Sequence, residues 1–503
     1  MPHLRGSSCL GRLELWGANT YLGDTFVEAG TLAMKSTSAL GATSLGTTVS
    51  GGGVLELGIA SSIQGERLSL NDGTLLINAG GTNTWGGLIN VNGLSYLETP
   101  FSNSRIILTN VISGGGDLAK TGPGELELGG ANPNTYAGFT WVADGKLILN
   151  KVAGPAVPGA GLAIGFVPST FAATPATVNS LRAGQVGDLT LVGLSAPGVW
   201  NLNNFSDSIG ALSGAGLVNL GSATLTLGAL DTDTTFDGQL TGLIGATSLV
   251  KQGAGIFTMT GNNPYPGTTT IAGGQLIVNG TNSSALTTLA PGTTLGGRGQ
   301  LGNLTATGGT VSPGTSPGLL KSGSLNWNSS TTYRCEINGT TVGVNQDQLA
   351  VTGAVSLGNA ALQLAIGFTG AVSNRYTIIA NDGTEAVSGI FAGLPEGTVF
   401  SQGGAQFRIS YVGGTGNDVV LTQLIPTQGP QIGTVQKIAG GQIQITALGL
   451  PNQTYQMQGT TNLTGAIWIN LGAVTADSRG SMQFIDGDVP NQPRRFYRLL
   501  LQP

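Results

Sequence analysis

Residues 120–150 read KTGPGELELGGANPNTYAGFTWVADGKLILN, and the same phrasing returns at residues 251–279 (KQGAGIFTMTGNNPYPGTTTIAGGQLIVN) and at 11–32 (GRLELWGANTYLGDTFVEAGTL). Each copy opens with apolar residues two apart: Leu13 and Leu15, Leu126 and Leu128, Phe257 and Met259. A turn rich in Asn, Pro and Tyr follows. A glycine then precedes the next apolar run by nine residues, in the pairs Gly23 and Leu32, Gly138 and Leu147, Gly267 and Leu276. Strict alternation over short runs describes strands with one buried face. The Gly/Asn/Pro turns describe corners, and Gly138 and Gly267 are expected to hold positive φ there.

Outward from these copies the composition is uniform. Apolar residues seldom recur at helical spacing, whereas Thr, Val and Ile are abundant, so the chain is expected to be all-β. Short strands separated by turns roughly every ten residues, with a recurring phrase, predict stacked coils: a right-handed parallel β-helix, or β-solenoid. Charged residues are only 9% of the chain, which suits coils that stack like on like, because in-register charges repel while Thr, Ser and Asn ladders are tolerated. With coils of about twenty residues, the part before residue 330 would hold about sixteen coils and form a rod of about 75 Å.

Several functional classes are disfavoured by the same composition. Lys and Arg number 20 against 25 Asp and Glu, and no basic cluster interleaved with aromatics is present, so no nucleic acid is expected as partner. No apolar run reaches about eighteen residues, so no transmembrane helix is expected. Cys9 and Cys335 are far apart and without metal-ligand spacing, and Cys335, in the alternating TYRCEING, is read as a core thiol. His3 is the sole histidine, which leaves triads and histidine metal sites without their parts.

The phrases at residues 116–149, 202–228, 236–278 and 295–320, with lysine–glycine corners such as KTGPG, resemble the autotransporter-associated β-strand repeat family, and similar phrasing covers most of residues 11–422. That resemblance implies a secreted bacterial passenger of β-solenoid shape without catalysis. Autotransporters also carry a C-terminal outer-membrane barrel. Nothing after residue 425 has that length, and MPHLRGSSCLGRLELWG lacks the apolar core of a signal peptide, so the export signal is expected to lie outside this chain.

The expected organisation is a disordered or truncated start over 1–10, β-solenoid repeats over 11–330, and terminal coils with a cap over 331–424. Residues 425–433 form a linker, and a small antiparallel β-sandwich occupies 434–503. In the last segment Ile443 and Ile445 alternate with Gln442 and Gln444, and Tyr455 and Met457 with Gln456 and Gln458. YQMQGTTNLTGAIWINLG and PRRFYRLLL resemble fibronectin type III-like end modules of secreted repeat proteins.

Gly413–Leu421, GGTGNDVVL, matches the calcium β-roll nonapeptide once; adjacent rolls share each ion, so a single copy supplies half a site and is read as a turn plus a final strand. DTDTTFDG, Asp231–Gly238, departs from EF-hand spacing and is read as a solvated loop. Asp207, Asp382, Glu385 and Glu396 are isolated acids. Lys120 and Lys251 recur at one repeat position and are read as structural, donating to a carbonyl at a corner. Tyr136, Trp141, Tyr265 and Trp468 are read as packing aromatics, and the sequons at Asn303 and Asn462 as products of composition. No catalytic, cofactor-binding or metal-binding residue is therefore assigned, and no cofactor. The function expected is a non-enzymatic, secreted or cell-surface (outer-membrane-associated), structural or adhesive β-solenoid passenger; the alternative is a carbohydrate-binding or polysaccharide-acting β-helix protein. Surface polysaccharide or other cell-surface components are the expected partners, with end-to-end self-association through the first coil.

Overall fold

A computed structural model describes residues 4–5, 11–243, 245, 247–314, 317–368, 370–424, 430–449, 453–464, 467–477, 480–488 and 494–502. His3, Cys9 and most of the expected linker (425–429) lie outside the described residues. The described chain is all-β, with a single short 3-10 turn at Ala439–Gly441. Up to the terminal coils it winds as a parallel β-helix of about 14 turns.

The alternation seen in the sequence becomes columns of stacked side chains. On the first face Leu32 pairs with Leu55, Leu55 with Leu75 and Leu75 with Leu97, all buried. On the second face one column runs from Ile106 through Leu126, Leu147, Val178, Trp200 and Val218 to Leu240. The third face is built from Thr25–Val27 to Ile112–Ser113, and again from Asp207–Ile209 to Val355–Ser356. The first face is an open ladder from Arg12–Leu15 to Ala361–Ile366, every pairing parallel. One hydrophobic cluster fills the coils from Val27 to Leu421. Each fully buried aliphatic or aromatic side chain in it contributes roughly 1.5–3 kcal/mol of transfer free energy.

Coils range around the twenty residues expected, Leu276 to Leu295 taking 19 and Leu55 to Leu75 taking 20, but several are longer. Leu97 pairs with Lys120 and Lys120 with Val142, steps of 23 and 22, while Ile164 pairs with Leu194 and Tyr333 with Leu362, steps of 30 and 29. About 14 turns therefore replace the expected sixteen, and at about 4.8 Å per rung they give a rod of about 65 Å.

Glycine supplies close approach between coils. Gly198, Gly216, Gly238, Gly261, Gly280 and Gly299 stack at one corner, and a Cβ on each from Gly216 onward would come 1.9–2.5 Å from the carbonyl oxygen of the glycine before it. The expectation of positive φ at Gly138 and Gly267 is corrected, since neither is among the positive-φ glycines. A side chain is excluded there because a Cβ would meet Gly116 O at 2.2 Å and Thr247 O at 1.7 Å.

Outward columns carry the polar ladders that the low charge implied. Thr270, Thr288 and Thr305 stack in register. Asn92 Nδ2 donates to Asn71 Oδ1 at 2.9 Å and Asn201 Nδ2 to Asn179 Oδ1 at 2.8 Å, one coil apart. Where charges do stack, their signs alternate: Arg105 pairs in register with Glu125, and Glu125 with Lys146, whose Nζ lies 2.6 Å from Glu125 Oε1.

The parallel register ends at Arg375–Asn381, which pairs antiparallel with Asp418–Leu424; that strand in turn forms an antiparallel hairpin with Ala405–Gly413. Residues 431–501 form two three-stranded antiparallel sheets. Ile445, Tyr455, Met457, Met482 and Leu499 share one core cluster, so the buried side of the Ile/Gln and Tyr/Gln alternation is the apolar one. Arg495, with 8% of its side chain exposed, pairs with Asp486 at 3.0 Å, and Tyr497 donates to the same carboxylate at 3.0 Å.

Candidate functional site

The repeated residues converge on the corners. Lys120 closes the strand Asp117–Thr121 in a column that Leu97 and Val142 fill one coil either side. Its stem therefore packs as an aliphatic, and its ammonium donates to Thr121 O (3.0 Å), Gly122 O (2.5 Å) and Asp144 O (3.1 Å). Lys251 sits between Leu227 and Ile271 and donates to Gln252 O (2.8 Å), Gly253 O (3.1 Å) and Gly273 O (3.1 Å). Two of the three carbonyls belong to the lysine's own turn and the third to the next coil, as expected for a structural corner residue. Burial lowers both ammonium groups, Lys120 to about 8, against the opposing pull of Asp144 and Glu98.

A second corner element is Asn-x-Tyr-x-Gly-x-Thr. The Tyr and Thr hydroxyls pair at 2.6 Å in Tyr21–Thr25, 2.6 Å in Tyr136–Thr140 and 2.5 Å in Tyr265–Thr269. Tyr136 and Tyr265 are fully buried, and desolvation raises both phenols, Tyr265 to about 12. The Asn two residues earlier ties coils together: Asn134 accepts from Ile112 N (2.9 Å) and donates to Ala156 O (2.7 Å), Asn263 accepts from Leu240 N (2.9 Å), and Asn19 donates to Ala39 O (2.7 Å). The Tyr packing was legible in sequence. The Asn and Thr partners were missed, although their constant offset from Tyr was the available signal.

The acids weighed as candidates are spread over the fold. Asp207 is buried and accepts from Gln185 N and Ser208 N at 3.0 Å and from Val186 N at 3.3 Å; burial pushes its carboxyl up to about 7 despite those donors. Asp382 and Glu385 are exposed, and Glu396 accepts from Tyr411 N at 2.6 Å. Asp231, Asp233 and Asp237 each reach the following coil, at Ala254 N (2.5 Å), Ile256 N (2.8 Å) and the Thr260 hydroxyl. DTDTTFDG is thus a set of coil-to-coil ties where a free solvated loop was expected.

Gly413–Leu421 is the hairpin turn and the strand after it: Asn417 Nδ2 donates to Gly383 O at 2.6 Å, and Asp418 Oδ1 accepts from Asn381 N at 2.9 Å. Its strands are antiparallel, unlike the parallel rungs that share an ion in a calcium roll. Among the described residues no group of three or more His, Cys, Asp or Glu is arranged to hold a metal ion.

The remaining candidates are occupied by packing. Cys335 is a free, buried thiol pointing at Asp347 O (3.5 Å). Trp141 stacks on Phe139 at 5.6 Å and donates from Nε1 to Asp117 Oδ2 at 3.2 Å. Trp468 lies under the Arg498 guanidinium at 4.3 Å. Asn303 Oδ1 accepts from Ser324 N at 2.9 Å, and Asn462 Oδ1 from Thr464 N at 3.0 Å. Sequence gave no notice of Lys151, buried and lowered by desolvation to about 8, whose Nζ donates to Asn110 O at 2.7 Å. Nor did it mark Asp347, whose carboxyl burial pushes up to about 6 while it accepts from Gly318 N and Glu336 N. No described helix is long and apolar enough to cross a membrane.

Residues 10–34, 118–149 and 249–278 match the model of the passenger-associated-transport-repeat, the same three copies that carry the Tyr–Thr corner. A stretch of 117 residues is 38% identical to the adhesin BmaC autotransporter of Brucella suis biovar 1 (strain 1330), covering 21% of this chain and 3% of that protein. The chain thus spans a small part of the length of the curated relative it matches. The crystal structure of the Haemophilus influenzae Hap adhesin superposes over 82% of this chain and 56% of its own with a TM-score of 0.31 and 12% identity. The autotransporter-repeat resemblance is therefore supported by the repeats and by the adhesin relative.

Proposed function

We propose that this chain is a stretch of an exported, surface-displayed passenger whose work is extension and adhesion and whose activity is not catalytic. The observation that carries the reading is the agreement of three passenger-associated transport repeats with three corners of the sequence Asn-x-Tyr-x-Gly-x-Thr that share the Tyr–Thr hydroxyl pair, in a rod of parallel coils. Buried titratable groups in this rod are consumed in holding coils together: Lys120, Lys251 and Asp207 all bond to backbone. Such bonding makes a rigid spacer with a weakly charged outer surface.

The finer organisation follows the same logic. Right-handed coiling is the form that parallel crossover connections take in nearly all folds. The antiparallel hairpin Ala405–Leu424 closes the solenoid edge and acts as its cap, since an open parallel edge invites pairing with other chains. The two antiparallel sheets over one core support reading the C-terminal segment as a small β-sandwich of fibronectin type III type, which starts at the strand Gln431–Lys437, three residues earlier than the expected boundary at 434.

The test is protease shaving of intact source cells with mass spectrometry of released peptides, beside an adherence assay with cells lacking the gene. Release of peptides from this chain and loss of adherence support the reading. Peptides seen only after lysis remove its premise.

A further inference from the structure

The first face is not uniform along its length. Its outward rungs between Ile256–Met259 and Ala361–Ile366 enclose a cleft of about 510 Å³. The floor arises from side-chain size and register. Ile277 pairs with Gly296, Gly296 with Ser312, and Arg334 with Gln363, so two small residues lie between larger ones on either side. The coil between Gly296 and Ser312 is also short, a step of 16 residues.

The lining has a specific chemistry. Gln275 and Gln363 place side-chain amides at opposite ends. Gln275 Nε2 leans over the floor, 3.7 Å from where a Cβ on Gly296 would lie. Hydroxyls of Thr310 and Ser312 stand between them, and Ile256 and Ile277 form an apolar wall. Arg334, the one cation lining it among the described residues, is 3.4 Å from Glu336, so the cleft carries paired rather than net charge.

Amides and hydroxyls both donate and accept, which suits a ligand that presents hydroxyl groups in both senses. An apolar wall beside them suits the C–H face of a sugar ring. A phosphate or carboxylate polymer would need uncompensated cations, and a lipid chain would leave the amides unpaired at a cost. We infer that this cleft binds a neutral, hydroxyl-rich glycan. The inference rests on the surface-adhesion reading and names its partner class.

The test is calorimetric titration of the full chain with maltohexaose and chitohexaose as neutral probes and polygalacturonate as an anionic one. Gln363→Ala removes an amide on an exposed position, and Ser312→Tyr fills the floor; thermal melts matching the parent show that both variants fold. We expect binding of at least one neutral hexasaccharide, weakened about tenfold by Gln363→Ala, as loss of one good hydrogen bond predicts, and abolished by Ser312→Tyr. Absence of binding to both neutral probes, equal binding by the folded variants, or preference for polygalacturonate overturns the inference. Cells carrying Ser312→Tyr separate the two readings. Undiminished adherence with the variant displayed leaves the adhesive passenger standing without this cleft, whereas a chain never displayed removes the passenger reading while the titration still decides the cleft.

Discussion

Replacing Lys120 with methionine isolates what one buried corner ammonium does to the rod. The lysine's side chain is fully buried and its proton is held at about 8 in the fold against an ordinary 10.5. Between those pH values the unfolded chain binds more protons than the folded one, so stability rises with pH. The penalty is fully present below about 8 and relieved towards 10.5. Worked through the linkage relation, one such lysine gives the parent about 2.5 kcal/mol of stability between pH 7 and pH 10. Methionine keeps the aliphatic stem between Leu97 and Val142 but cannot titrate. The three carbonyls it leaves cost the variant the same amount at every pH, and Lys151 and Lys251 titrate in both proteins. The assay is urea unfolding at pH 7, 8, 9 and 10, followed by tryptophan fluorescence, with Trp141 one rung from Ala119 as a nearby reporter. The parent-minus-variant stability should climb by about 2.5 kcal/mol across the series. A difference that stays flat to within about 0.5 kcal/mol means the ammonium is solvated, and refutes the buried-corner account.

Other consequences can be checked in the same host. Gly138→Val and Gly267→Val each drive a side chain into the carbonyl of the preceding coil, and should cost at least about 3 kcal/mol, seen as a lowered and broadened calorimetric transition. Tyr136→Phe removes the hydroxyl that pairs with Thr140 and should cost about 1–2 kcal/mol by urea denaturation, with Tyr136→Phe/Thr140→Val costing less than the sum of the singles. Asp207, raised to about 7 from 3.8, gives stability that is complete below 3.8 and lost as pH rises through about 7. Asp207→Asn should therefore flatten the fall in stability between pH 4.5 and 7.5, and an unchanged profile would sink that assignment.

The columns of the first and second faces were readable because a strand's side chains alternate with period two, so Leu126 and Leu128 declare their own direction. Lys120 and Lys251 were readable as corner residues because repetition with the coil marks structure. What escaped depends on partners fixed only by register. Gly138 answers to Gly116 one coil back, and Lys151 reaches Asn110 across 41 positions. The polar cleft exists because Gly296 and Ser312 fall on one column, which requires a coil length that no local pattern states. GGTGNDVVL was read correctly as turn and strand, but its antiparallel pairing is a property of the strand it meets.

The variable coil length has a consequence for how such a chain can change. The long coil from Ile164 to Leu194 places its additional residues at corners, yet Ile164 and Leu194 pair in the same parallel ladder as every shorter coil. Growth of a corner therefore leaves the axis, pitch and neighbouring rungs where they were. A lineage, or an engineer, can graft new surface onto this rod one loop at a time, while a single residue added inside a rung would turn a whole column inside out.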